Sequence, residues 1–371
     1  MGKFSLRPEI YMESCIHGLF ESYKNQIILV VCDQFLVENP IVRKLLRLLR
    51  EHNQVTIFSD VVPDPPLKKV IATVRVMLDS KPTVLIAVGG GSAIDTAKAA
   101  RYFAKETKNL EVGEFIAVPS TSGSGSEVTS FAVVTDEEKN VKYPLIDDSL
   151  LPTKVALIPQ LVSSCPPKVT AHSGMDVLTH ALEALVAKGA NGLTDSLAIR
   201  SVKLVFAELE HCYQNGDCLK SRRVLQEASC MAGIAFQNAG LGIVHAISHQ
   251  IGGQFHLPHG LINSILLPEV IRLNASDPAV KHKYAWLAKD MGWIPMTGAD
   301  STGLIELIKH VKELTLKLDC ETSLSACGIT ADKLAPVLGD MIQKTEEDAT
   351  FAGNPIQPNR EQLVQVLLSI L

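Results

Sequence analysis

Five side chains between residues 176 and 259 have the types and spacing of a metal site. Asp176 and His180 lie four residues apart in GMDVLTHALEA, and His245 and His249 repeat this spacing in VHAISH. Side chains four residues apart share one face of an α-helix, so each pair would present its two groups together. His259 follows in LPHG. These residues predict a metal centre in an apolar part of the protein.

The chemical types of these side chains narrow the choice of metal. One carboxylate and three imidazoles without a thiolate fit a divalent ion of intermediate hardness, Fe²⁺ or Zn²⁺. The remaining histidine would then be free to handle protons. The eight cysteines are scattered and include no C-x-x-C pair, so we expect reduced thiols and a metal held without sulfur.

Two polar loops in the first half of the sequence are suited to bind a nucleotide. The run VLIAVGGGSAIDTAKA places Gly89–Gly91 between a strand and a helix, where backbone amides can approach a phosphate closely. It is neither a G-x-G-x-x-G motif nor a P-loop. A second loop, Pro119–Glu127, follows the next predicted strand, and such strand ends commonly bind ligands. Asp33 could accept hydrogen bonds from a ribose diol and repel a 2′-phosphate; a helix N-cap or turn role is the alternative.

A parallel sheet is needed to position these loops. Up to about residue 160, strand-like runs alternate with helical patterns, which predicts a Rossmann-like α/β sheet with helices on both faces. The predicted strands are 26–32, 55–58, 83–88 and 115–118, the predicted helices are 41–50, 67–78 and 92–104, and a hairpin covers 131–145. Beyond residue 160 the apolar spacing is helical. The sequence therefore predicts a dinucleotide-binding α/β domain over 1–160 and an α-helical metal and substrate domain over 161–371.

Charge is spread unevenly along the 371 residues. Lys and Arg number 35 and Asp and Glu 40, a net charge of −5 that gives no reason to expect nucleic acid or an anionic membrane as a partner. Residues 228–268 contain none of these four types. This run is unsuited to span a membrane because its six glycines and four histidines would be costly in lipid. We expect it to be protein interior, and the absence of a secretory signal favours a cytoplasmic protein.

Four motifs, in this order, resemble the signatures of the iron-containing (group III) alcohol dehydrogenases: GGGSAIDTAKA, PSTSGSGSEVT, GMDVLTHALEA and GLGIVHAISHQIGGQFHLPHG. The resemblance implies a Rossmann-like domain followed by an all-helical metal domain, the fold shared with dehydroquinate synthases, and NAD(H) as cofactor. His249 would lie beside the nicotinamide and substrate as the catalytic residue. The implied metal ligands are Asp176, His180, His245 and His259. The implied cofactor-binding residues are Asp33, Gly90, Gly91, Ser92, Thr121, Ser122 and Lys142.

The resemblance also implies an activity, reversible hydride transfer between NADH and a small aliphatic aldehyde whose carbonyl is polarised by the metal. Within the family, the segments YPLIDDSLLP and GGQFHLPHG look most like the propanol-forming enzymes of bacterial 1,2-propanediol utilisation. That likeness implies propionaldehyde as substrate and regeneration of NAD⁺ for a partner aldehyde dehydrogenase. It also implies a location in a bacterial microcompartment, with the microcompartment shell as a further partner. The family resemblance itself implies a homo-oligomer, a dimer or larger.

Other functions stay open at this point. An ethanol dehydrogenase of ethanolamine utilisation would differ by one substrate methylene, worth ~1 kcal/mol. A metal- and NAD-dependent lyase or cyclase on the same fold would need basic residues for its anionic substrate, and residues 228–268 offer none. A metal-dependent hydrolase would leave the glycine and serine loops unexplained. An aldehyde dehydrogenase would need a nucleophilic thiol, and neither site motif contains a cysteine.

Overall fold

The computed structural model describes residues 4–12, 15–137 and 141–371, without the side chains of Cys15, Val141 and Lys142. Within these ranges there are eight strands: β1 Glu9–Met12, β2 Ile27–Cys32, β3 Gln54–Phe58, β4 Val84–Gly89, β5 Glu114–Pro119, β6 Phe131–Asp136, β7 Val141–Ile146 and β8 Lys154–Leu157. The same ranges contain sixteen α-helices: α1 Cys15–Glu21, α2 Gln34–Val37, α3 Pro40–Arg50, α4 Leu67–Ser80, α5 Gly91–Lys108, α6 Pro159–Val162, α7 Pro167–Val186, α8 Gly192–Gln214, α9 Leu219–Ala239, α10 Ile243–Phe255, α11 His259–Asn274, α12 Pro278–Asp290, α13 Asp300–Lys317, α14 Ala331–Leu334, α15 Leu338–Glu347 and α16 Arg360–Ser369.

The chain divides into two compact units. The α/β unit comprises Ser5–Pro166 and Gly216–Gly233, and the helical unit contains Pro167–Asn215 and Ile234–Leu371. The change from strands to helices falls at the start of α7. The first part of α9 belongs to the α/β unit, so that unit is built from two separate stretches of sequence.

Six strands of the α/β unit form a parallel sheet in the order β1-β8-β5-β4-β2-β3. The central strands are apolar throughout because both faces are covered. Along β2, alternate side chains enter different cores: Ile28 and Val30 lie in one buried cluster, and Leu29 and Val31 in the other. The predicted parallel sheet is confirmed.

Strand β1, at one edge of the sheet, and its neighbour β8 are not predicted from the sequence because they are short. Each has four residues, and in β1 the sequence EIYM is only partly buried. Strands β6 and β7 pair antiparallel from Phe131 opposite Ile146 to Asp136 opposite Val141, which confirms the predicted hairpin.

The helical unit contains three helices that matter for the site. In α7 every residue from Gly174 to Val186 is buried, and α10 and α11 are also largely buried. Such helices carry apolar residues on all sides because they have no solvent face. The charge-free run therefore forms protein interior over most of its length, although His256, between α10 and α11, is exposed. In the described part of the chain no single helix could span a membrane; α9 and α10 together meet the length and composition criteria only across a bend of 107°.

Candidate metal and dinucleotide sites

Helix α7 supplies two neighbouring groups of the candidate metal centre. Asp176 and His180 lie one turn apart on α7, as their spacing predicts, and His180 Nε2 is 3.8 Å from Asp176 Oδ1. Both side chains are buried. The ring of His180 stacks on Phe236 at 4.5 Å between centroids, which fixes its plane.

Helices α10 and α11 complete the cluster. His245, near the start of α10, and His259, the first residue of α11, each place Nε2 3.7 Å from Asp176 Oδ1. Potential ligand atoms of Asp176, His180 and His245 all lie within 4.8 Å of one another. The structure thus brings the four proposed ligands together around one carboxylate oxygen.

The donor set fits a divalent cation. Three imidazole nitrogens converge on one carboxylate, and such a mixed nitrogen and oxygen set suits Fe²⁺ or Zn²⁺. Burial alone would raise the pKa of Asp176, but the surrounding imidazoles, His180 foremost, hold that pKa well below its usual range. Burial alone would lower the pKa of His245, but the carboxylates of Glu183 and Asp176 raise it to about 9. The site therefore favours positive charge, whether a proton or a metal ion.

Two further polar residues contact the proposed ligands. Glu183, one turn after His180 on α7, places Oε2 2.5 Å from His245 Nδ1. Asn263 on α11 donates from Nδ2 to Asp176 Oδ1 at 2.7 Å. Both are buried. Neither residue is predicted from the sequence, although each follows a proposed ligand by three or four positions on the same helix.

His249 stands beside the cluster and is bound to a carboxylate. Its Nδ1 lies 2.9 Å from Asp348 Oδ2, and its ring stacks on His259 at 5.4 Å between centroids. Asp348 Oδ1 accepts hydrogen bonds from the backbone amide and the hydroxyl of Thr350. Burial alone would raise the pKa of Asp348, but its hydrogen bond with His249 contributes most to holding that pKa low. Asp348 was also missed, because 99 residues separate it from His249.

The cysteines take no part in this cluster within the described structure. The seven whose side chains are described are free thiols: Cys32, Cys165, Cys212, Cys218, Cys230, Cys320 and Cys327. Burial raises the pKa of Cys32 to about 12, which keeps it protonated at neutral pH.

In the α/β unit, the two polar loops lie against each other. Ser120 N donates to Gly89 O at 2.9 Å, which joins the ends of β4 and β5. A Cβ added at Gly90 would lie 3.2 Å from Thr121 Oγ1, and one added at Gly91 would lie 3.0 Å from Ser124 Oγ. The absence of a side chain at both positions leaves the first amides of α5 accessible to a phosphate.

Helix α5 holds the second loop in place through two charged side chains, Asp95 and Lys98. Asp95 accepts from Ser126 Oγ at 2.6 Å and from Val133 N at 3.0 Å. Lys98, fully buried, donates to the carbonyl oxygens of Thr129 and Phe131 at 2.8 and 2.7 Å. Both acceptor carbonyls lie downstream of the loop, so α5 supports the loop from one side.

One hydroxyl of this loop matches what a cofactor site requires. Ser122 Oγ is buried and has no hydrogen-bond partner among the described residues. Buried polar atoms are normally satisfied, so this hydroxyl is suited to a ligand group. Ser92 lies in the first turn of α5, two residues after Gly90.

Asp33 lies at the N-cap position of α2, but its carboxylate accepts no hydrogen bond from the backbone amides of that helix. A Cβ added at Gly89 would lie 3.0 Å from Asp33 Oδ2, so the carboxylate is next to the glycine run. Burial raises the pKa of Asp33. The backbone of Lys142 pairs with Thr135 in the hairpin, but its side chain lies outside the described structure.

Comparisons with known proteins match both halves of the chain. Residues 11–159 match the family model for iron-containing alcohol dehydrogenases, and residues 170–371 match the model for the C-terminal part of the same family.

Full-length relatives agree with this match. The chain is 41% identical to 1-propanol dehydrogenase PduQ of Citrobacter freundii and 39% identical to that of Salmonella typhimurium, with 100% of each chain covered. It is 34% identical to an NADPH-dependent butanol dehydrogenase of Clostridium saccharobutylicum, covering 99% of this chain and 97% of that one.

Solved structures show the same architecture. A 1,3-propanediol oxidoreductase is 28% identical with a TM-score of 0.91, and both chains are covered completely. An iron-containing alcohol dehydrogenase from Thermococcus thioreducens is 28% identical with a TM-score of 0.90, and 99% of each chain is covered.

The fold and the matched families define an oxidoreductase with an α/β and a helical unit. The chain belongs to the iron-containing alcohol dehydrogenase family, and it is an alcohol dehydrogenase. The family predicted from the four motifs is therefore confirmed, and a lyase or a hydrolase is not supported.

Proposed function

We propose that this alcohol dehydrogenase reduces propionaldehyde to 1-propanol with NADH, so that aldehyde, NADH and a proton give alcohol and NAD⁺. The observation that carries the proposal is the convergence of three histidine Nε2 atoms, at 3.7 to 3.8 Å, on Asp176 Oδ1. The choice of aldehyde is supported by the 1-propanol dehydrogenases at 39 and 41% identity.

In this proposal Asp176, His180, His245 and His259 hold an Fe²⁺ ion, with Zn²⁺ as the other candidate. When bound, the ion supplies Lewis-acid polarisation of the aldehyde carbonyl, and NADH supplies the hydride. The apolar, charge-free segments of α10 and α11 suit a small uncharged substrate and keep other formal charges away.

His249 would supply the proton. An ionised carboxylate can only accept hydrogen bonds, so Asp348 requires the proton of a neutral His249 ring to reside on Nδ1. Nε2 is then the atom that carries the transferred proton: the cationic ring would donate it to the product oxygen and return to the neutral form. Asp348 acts as the positioning residue for this exchange.

Gly90, Gly91 and Ser92 would bind the pyrophosphate, and Thr121, Ser122 and Lys142 would contact the rest of the dinucleotide. Asp33 would favour NAD(H), because a carboxylate repels the 2′-phosphate of NADP(H). The butanol dehydrogenase relative is NADPH-dependent, so cofactor preference is a direct test. We expect Asp33→Asn to raise the relative rate with NADPH.

The biological setting we propose is 1,2-propanediol utilisation in the bacterial cytoplasm, inside a microcompartment. There the enzyme would return NAD⁺ to a partner aldehyde dehydrogenase. We further propose that it works as a homo-oligomer, a dimer or larger.

The decisive assay follows NADH absorbance with anaerobically purified protein loaded with Fe²⁺ or Zn²⁺ and a C2–C4 aldehyde series. We expect the highest kcat/KM with propionaldehyde. No NADH oxidation with any aldehyde would refute the proposal, and a clear preference for acetaldehyde would instead indicate an ethanol dehydrogenase.

A ligand variant tests the metal assignment. We expect His259→Ala to lose both the bound metal and turnover, because one of four donors is missing. His52→Ala, at an exposed histidine in the α/β unit, is the control and should keep both. Full metal content and activity in His259→Ala would disprove the assignment.

A further inference from the structure

The Glu183 carboxylate is buried in the helical unit and uses both oxygens on neighbouring groups of α10. Oε1 accepts a hydrogen bond from Val244 N at 2.7 Å, and Oε2 lies 2.5 Å from His245 Nδ1. Only 3% of the residue is exposed. A buried carboxylate is costly unless its oxygens are paired, and here both are paired with one turn of one helix.

That turn is the amino-terminal end of α10, where free backbone amides need acceptors. The N-cap residue is Gly242, which has no side chain to accept them. The acceptors come from elsewhere in the chain: Asn354 Oδ1 accepts from Ile243 N at 3.2 Å, and Glu183 accepts from Val244 N. A Cβ at Gly242 would lie 2.9 Å from Glu183 Oε1, so the carboxylate packs directly on the helix end. Its negative charge also suits this end of the helix dipole.

The second oxygen determines which nitrogen of His245 carries a proton. An ionised carboxylate only accepts hydrogen bonds, so His245 Nδ1 must donate to Glu183. A metal ligand needs an unprotonated nitrogen, and Nε2 is the atom that faces Asp176 Oδ1, at 3.7 Å. When a metal displaces the proton from Nε2, the contact with Glu183 keeps the remaining proton on Nδ1, so the ring binds through the correct nitrogen.

We propose that Glu183 is the positioning residue of the metal centre: one carboxylate caps α10 and fixes both the tautomer and the ring orientation of His245. This inference rests on the proposed function only in taking His245 as a metal ligand. Hydrogen-bond partners of metal-bound histidines typically alter metal affinity by about 10- to 100-fold when removed.

The test is Glu183→Gln in the full-length protein, with Co²⁺ as probe and both affinity and the visible Co²⁺ spectrum as readouts. Gln keeps the shape but has one acceptor oxygen, so it cannot serve Val244 N and His245 Nδ1 together. We expect Co²⁺ affinity to fall about 10- to 100-fold and the spectrum to change. Glu361→Gln, at an exposed glutamate on α16, should match wild type in both.

A second variant separates positioning from capping. Asn354→Ser weakens the other acceptor at the start of α10 and leaves the contact between Glu183 and His245 intact. We expect it to lower the melting temperature while the Co²⁺ spectrum stays that of wild type. The same loss of affinity and the same spectral change in Asn354→Ser would overturn the inference in favour of a purely structural role.

Wild type provides the measurement if Glu183→Gln does not fold. In Zn²⁺-loaded protein with ¹⁵N-labelled histidine, we expect a strongly downfield Nδ1–H proton for His245, and its absence would overturn the inference. Unchanged affinity and spectrum in Glu183→Gln would do so as well, while leaving the proposed function intact. Failure of wild type to bind Co²⁺ or Zn²⁺ would instead count against the metal site itself.

Discussion

At the scale of single residues, burial and nearby opposite charges shift the pKa values of the proposed metal ligands in opposite directions. Asp176 is buried, yet the neighbouring imidazoles keep its pKa well below the usual range, so it stays ionised over the physiological pH range. His245 lies between two carboxylates, those of Asp176 and Glu183, and its pKa is raised to about 9. In the metal-free protein the His245 ring is therefore cationic at neutral pH, and a metal ion must displace the second proton, on Nε2.

This competition predicts that metal affinity depends on pH. Because the pKa of His245 is raised, the site is protonated below about pH 9, and each bound ion releases that proton. Asp176 remains ionised throughout, so it adds no pH dependence. We expect the apparent Kd for Zn²⁺ to fall about tenfold per pH unit between pH 6.5 and 8.5. Chelator-competition titrations at three pH values measure this slope, and a flat profile would contradict the prediction.

At the scale of elements, the dinucleotide loop depends on the short turn from β4 into α5. This turn packs against the loop after β5 so closely that a Cβ on Gly91 would lie 3.0 Å from Ser124 Oγ and 3.2 Å from Ser124 Cβ. Asp95 of the same helix accepts a hydrogen bond from Ser126 in that loop, and Lys98 donates to Phe131 O just after it. Helix α5 thus positions both loops of the proposed phosphate site, the turn after β4 and the loop after β5.

Gly91→Ala should therefore weaken dinucleotide binding. The added methyl group displaces Ser124 and crowds the amides at the start of α5, and we expect NADH affinity to fall about tenfold, or ~1.4 kcal/mol. Metal content should not change. Gly192→Ala is a matched control because Gly192 also begins a helix but has open space around its Cβ position. NADH fluorescence titration compares them; equal affinities would show that the turn tolerates a side chain.

At the scale of the whole molecule, the α/β unit needs a segment that returns from later in the sequence. Residues Gly216–Gly233 join it after the chain has already formed α7 and α8. Arg222, only 2% exposed, anchors this segment by donating to Gly216 O at 2.7 Å and Cys165 O at 3.1 Å. Gln226 adds a hydrogen bond to Pro119 O, at the end of β5.

Arg222→Ala should destabilise the protein. The substitution leaves two partly buried carbonyl oxygens without their donor and opens a cavity, so we expect the free energy of unfolding to fall by about 2 to 4 kcal/mol. The adjacent Arg223 is half exposed and pairs with Glu227, so Arg223→Ala should cost less than about 1 kcal/mol. Urea denaturation of both variants measures the difference. Equal stabilities would show that the returning segment is held by its apolar contacts alone.

Local sequence patterns were sufficient to predict the central strands of the sheet and the helical pairs of proposed metal ligands. Continuous apolar runs predict β2, β4 and β5 because these strands are buried on both faces, and the four-residue spacing of Asp176 with His180 needs only a helix. Residue types and spacing indicated a metal site among Asp176, His180, His245, His249 and His259, and the resemblance to the family selected the four proposed ligands. The short strands β1 and β8 have no such signal.

Sequence by itself thus determined the class of the enzyme, its parallel sheet and the residues proposed to bind metal, because each depends on patterns within about twenty residues. Only the tertiary structure decided which groups support them. Glu183 contacts His245 across 62 residues, and Asp348 contacts His249 across 99. The return of Gly216–Gly233 to the α/β unit is equally long-range. Hydrogen bonds between distant segments leave no local periodicity, so they become visible only when helices and loops are packed.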